Sequence, residues 1–80
     1  MDAYTLKKKN DTGELHLFKG KMTEKSCTSE KTSICKMMDK AESEKNIFTC
    51  KDEDTAREKC AEIGRDVCGV CVSNLYASYK

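Results

Sequence analysis

The sequence predicts a small α+β domain in the element order β-β-α-β-α-β. The sheet is antiparallel or mixed, and two helices pack on one face of it. Three observations carry that prediction. Strand-like alternation and turn chemistry fill the first twenty residues. Two later stretches place apolar residues at helical spacing. Six of the 80 residues are cysteine, enough to staple a core that hydrophobic residues, at 38 %, fill sparingly. A chain of this length is one domain, residues 1–80.

The leading hairpin is read first. Tyr4 and Leu6 alternate with Ala3, Thr5 and Lys7. Asn10-Asp11-Thr12-Gly13 is a turn cluster in which Gly13 supplies the positive φ that closes a longer hairpin loop. Leu15 and Leu17 then share one face of a returning strand, with His16 and Phe18 on the other, and Gly20 ends it.

Between residues 23 and 44 there is no Gly or Pro. Cys27, Ile34, Cys35, Met38 and Ala41 trace one helical face, interrupted by Lys31. The Ser- and Thr-rich stretch before Ile34 moves the expected helix start to Ser29 or Ser33. Met38 is assigned to the core. Asn46-Ile47-Phe48-Thr49-Cys50-Lys51 is β-branched and aromatic, a short strand. Asp52-Glu53-Asp54 opens the second helix, because acidic side chains cap free N–H groups and oppose the helix dipole. Ala56, Cys60 and Ile63 continue it on one stripe, and Gly64 stops it. Val67 to Val72 is apolar on both faces and is expected to be a central strand.

Function classes narrow by exclusion. With 15 Lys+Arg against 14 Asp+Glu, the net charge of +1 argues against a nucleic-acid binder that works by phosphate neutralisation. No apolar run reaches the ~18–20 residues of a membrane span. The Asp52-Glu53-Asp54 run lacks the ligand spacing of an EF-hand. Glycines 64 and 69 form no phosphate loop. His16 has no nucleophile near it in sequence. No catalytic residue, metal site or cofactor is therefore expected.

The cysteines at 27, 35, 50, 60, 68 and 71 admit several readings. Structural zinc usually takes two close ligand pairs, and Cys68-Gly69-Val70-Cys71 is the one close pair present. Cys50, Cys60, Cys68 and Cys71 are the set that would have to converge, with His16 remote on the hairpin. A reactive Cys-x-x-Cys belongs at a helix N-terminus, whereas this one falls in an expected strand, where Cys68 and Cys71 point to opposite faces. Six buried thiols in a cytosolic chain are the bland alternative. Disulfides fit the even count and the spread of cysteines over packed elements best. Three bridges are expected. Their pairing stays open, with at least one of Cys27 and Cys35 bonding toward the sheet and Cys68 and Cys71 not joined to each other.

The resulting expectation is a non-enzymatic, secreted, disulfide-stabilised protein that binds another macromolecule, as an effector, toxin or inhibitor does. Met1 would then precede the mature part of a secreted chain, since residues 1–9 hold no apolar leader. The alternatives are a cytosolic phage- or plasmid-type accessory protein that modulates a host protein, and a small zinc-binding domain. A protein partner is expected, with candidate contacts at Lys7, Lys8 and Lys9, at Met37, and at Tyr76 and Tyr79. The plainer reading of the lysines is an edge strand defended against pairing. Asn10-Asp11-Thr12 also matches a glycosylation acceptor, in a stretch equally explained as turn chemistry.

Overall fold

The structure, a computed structural model, describes residues 2–36 and 38–77, with the side chains of Tyr76 and Ala77 left out. It is α+β. Strands β1 (Asp2–Lys9), β2 (Leu15–Met22), β3 (Cys27–Ser29) and β4 (Ser43–Lys51) precede helices α1 (Glu53–Ile63) and α2 (Gly69–Ala77). The sheet is antiparallel, in the order β3-β2-β1-β4.

The hairpin follows its turn chemistry. Gly13 takes φ 76°, and Leu6 pairs with Leu17 across β1 and β2. β1 lies inside the sheet, so its lysines do not guard an edge, as the plainer reading of them required.

The sheet is curled. β3 and β4 are its two margins, three strand spacings apart, which is ~14 Å in a flat sheet at ~4.8 Å per step. A disulfide nevertheless joins Cys27 of β3 to Cys50 of β4, with their Cα atoms 6.2 Å apart. The bend shows in the β1/β4 ladder, where Tyr4 pairs with Lys51 but Leu6 with Phe48. One extra β4 residue is accommodated there, a bulge that raises local twist. Cys50 sits in it with φ 53°, its N–H held by Thr5 Oγ1 at 3.2 Å.

α1 begins and ends where its sequence signals lie. The Asp52 side chain accepts a hydrogen bond from the Thr55 N–H at 2.9 Å, and Gly64 takes φ 78°. Ala56 and Cys60 turn inward and join Tyr4, Leu6, Leu15, Leu17, Phe48, Val67, Cys71 and Leu75 in the core. Buried Arg57 ties the helices together, bonding Glu53 at 3.0 Å and the Leu75 carbonyl at 3.4 Å.

Two expected elements take another form. The helix expected between residues 23 and 44 is absent among the described residues. In its place are β3, a turn and a 3-10 turn at Lys40–Glu42. At the start of this stretch, hydroxyls that bond nearby backbone compete with the helix ladder. Thr23 Oγ1 accepts from the N–H groups of Lys25 and Ser26. Lys36, at φ 65°, turns the chain further on. Met38 is nonetheless buried, as the core assignment required.

The strand expected over residues 67–72 survives only as a single parallel bridge from Val67 to Leu15. α2 starts immediately afterwards. Here Cys71 and Leu75 are inside while Val70 is 50 % exposed, a helical division that a two-sided central strand would not show. Short apolar runs are compatible with either structure, and packing decides between them.

Candidate metal centre

The site is built on an unfinished strand edge. β3 is short and covers β2 only from Gly20 to Met22. The remaining β2 edge needs other partners. Glu30 N–H bonds the Lys19 carbonyl at 2.8 Å, Ile34 N–H the Leu17 carbonyl at 2.8 Å, and Cys68 N–H the Leu15 carbonyl at 2.7 Å. The Leu17 N–H donates to Cys71 Sγ at 3.3 Å. These bonds draw the 30–36 turn and the start of α2 against the same stretch of β2.

Four side chains converge there. His16 comes from β2, Cys35 from the turn, Cys68 from the residue before α2 and Cys71 from its first turn. Their ligand atoms all lie within 4.8 Å of one another. Cys35 Sγ is 3.3 Å from His16 Nδ1, Cys71 Sγ is 3.8 Å from the same nitrogen, and Cys68 Sγ is 3.9 Å from Cys35 Sγ. Around a tetrahedral zinc with ~2.3 Å bonds to sulfur and ~2.1 Å bonds to nitrogen, the ligand–ligand edges are ~3.8 Å and ~3.6 Å. The three observed separations lie within about 0.3 Å of those edges, and the remaining pairs lie within 4.8 Å.

The surroundings suit a metal as well. His16 is 1 % exposed and Cys71 is fully buried. Behind the imidazole, Glu14 Oε1 lies 3.7 Å from Nε2 and also accepts from Thr12 Oγ1 at 3.1 Å. A carboxylate in this position orients a histidine that binds metal through its other nitrogen. Ser33 Oγ is 3.2 Å from Cys35 Sγ. Burial pushes the Cys71 thiol up to about 12. A cation bound among these groups would deprotonate it outright.

The cysteine assignments change accordingly. Of the six expected in three bridges, Cys27 and Cys50 form one. Cys35, Cys60, Cys68 and Cys71 are thiols. Cys27 lies in β3 and its bridge runs within the sheet, not from a helix toward it as expected; Cys68 and Cys71 are not bridged. The convergent set also differs from the one considered for zinc: Cys50 is spent in the bridge, Cys60 lies in the core away from the cluster, and His16 and Cys35 replace them. Cys68 and Cys71 do not point apart, because they open a helix rather than lie in a strand.

Lys7 is buried, donates to Asn46 Oδ1 at 2.7 Å, and lies 5.8 Å from the Phe18 ring centre. Lys8 pairs with Glu44 at 3.5 Å, and Lys9 with Glu42 at 3.6 Å. Each of these lysines is thus engaged within the chain. Met37, Tyr79 and the Tyr76 side chain lie outside the described residues. No described helix is long and apolar enough to cross a membrane. No protein family, curated protein or solved structure matches the chain.

Proposed function

We propose that this chain is a small zinc-binding protein in which the metal is structural. The observation that carries the reading is the convergence of His16 Nδ1 and the sulfurs of Cys35, Cys68 and Cys71 within 4.8 Å. A ligand set of three thiolates and one imidazole favours zinc over harder cations. Four protein ligands fill the coordination sphere. A catalytic zinc keeps a position open for water or substrate, so the ligand set supports a structural rather than a catalytic metal. The Cys27–Cys50 bridge supports an oxidising compartment, and with it a secreted protein.

The test is metal content. The chain with its bridge intact is prepared in the presence of zinc, dialysed, and analysed by native mass spectrometry. One zinc per chain is expected. Cys71→Ser and His16→Ala should each lower the affinity by at least tenfold, whereas Cys60→Ser should leave it unchanged. Cobalt titration gives a second readout, because intense thiolate-to-cobalt absorption bands require cysteine ligation. A chain that takes up neither metal overturns the reading.

A further inference from the structure

The four ligand residues are not equally buried. Cys71 is fully buried, and its sulfur accepts the Leu17 N–H at 3.3 Å. Cys35 and Cys68 are half-buried. Cys68 also lines a surface cleft of about 410 Å³, open between the Thr12–Glu14 turn and the segment from Arg65 to Gly69. A small oxidant therefore has a route to the residue that carries one ligand. The sulfur positioned to complete the reaction, Cys35 Sγ, is 3.9 Å from it.

Resting on the zinc reading above, we infer that the site is a peroxide-sensitive switch in which Cys68 is the sulfur attacked and Cys35 resolves it. The Cys68 thiolate attacks hydrogen peroxide. The O–O bond breaks, sulfur gains one oxygen as a sulfenic acid, and hydroxide leaves. The Cys35 thiolate then attacks the Cys68 sulfur, forming the S–S bond and expelling a second hydroxide. Overall, two thiolates lose two electrons and one peroxide becomes two hydroxides. His16 and Cys71 remain as two of the four ligands, too few to retain the metal, and zinc leaves. Cys35 tethers the turn and Cys68 the start of α2, so oxidation replaces a metal cross-link between them by a covalent one. The peroxide signal is therefore read as released zinc and an altered β2 edge.

The zinc-loaded chain, with Cys27–Cys50 intact, is treated with hydrogen peroxide and quenched with a thiol-alkylating reagent. Zinc is followed with a chromogenic chelator and disulfides by tryptic mapping. Cleavage after Lys31, Lys36 and Arg65 separates Cys35, in fragment 32–36, from Cys68 and Cys71, in fragment 66–80. The expected result is loss of one equivalent of zinc together with a disulfide between these fragments, both reversed by dithiothreitol and added zinc. The Cys60→Ser chain should respond identically. A bridge confined to fragment 66–80, or oxidation without zinc loss, overturns the switch and leaves the zinc reading standing. A chain that holds no zinc before peroxide is added overturns both.

Discussion

Gly20 shows how much one residue governs here. A β-carbon at this position would be driven into the Thr28 carbonyl of β3, because the two backbones approach that closely. The neighbouring atoms are main chain and cannot swing aside. Gly20→Ala is expected to cost about 3 kcal/mol, the upper end of what overpacking does, and to free the β3 margin from β2. Gly69, whose added β-carbon meets nothing within 4 Å, provides the control. Urea denaturation of both variants checks this, and equal midpoints would set the argument aside. In sequence, Gly20 reads only as a strand end. His16 is similarly opaque: a lone histidine between two leucines carries no sign that Cys35, Cys68 and Cys71 will meet it.

Among the elements, the ones with local signals formed as read. The hairpin has its turn cluster, and α1 has Asp52 at its start and Gly64 at its end. The two readings that failed rested on apolar pattern and composition, with no bonded cap or turn cluster at both ends. Residues 23–44 lacked an uninterrupted run of good helix formers, and hydroxyl side chains bond the backbone instead. Val67 to Val72 has the composition of a strand, yet β2 offered it one bridge and the core accepted Cys71 and Leu75 at helical spacing. The Cys27–Cys50 bridge is the feature that joins the sheet margins, across a sequence separation of 23 residues. Loop-closure entropy assigns a bridge of that span ~3 kcal/mol. The double variant Cys27→Ser/Cys50→Ser should lose about this much in guanidinium unfolding at 25 °C. An unaltered free energy would show that the curl is held by hydrogen bonding and packing alone.

At the scale of the molecule, one cross-link is in place and the proposed zinc site would add a second, where three disulfides were expected. The bridge fastens β3 to β4. Zinc at the proposed site would fasten the 30–36 turn and the α2 N-terminus to β2. A chain of this size has a limited core, so the second cross-link should be visible in global stability. A metal that binds only the folded form, at a thousandfold excess over its Kd, adds ~4 kcal/mol. That corresponds to a melting shift of roughly 15–30 °C for a domain of this length. Calorimetry of the zinc-loaded chain with and without a strong chelator measures it. Coincident melting curves would remove the metal from the stability of the fold.

The sequence by itself determined the class of fold, the hairpin, α1 with both its ends, and the burial of Met38. These depend on turn residues, caps and composition, which act within a few positions of one another. The tertiary structure alone decided which cysteines are joined and which converge. Cys27 and Cys50 meet only because the sheet curls. His16, Cys35, Cys68 and Cys71 meet only because the edge of β2 left uncovered by β3 must find hydrogen-bond partners, and finds them in two segments that each bring cysteine with them.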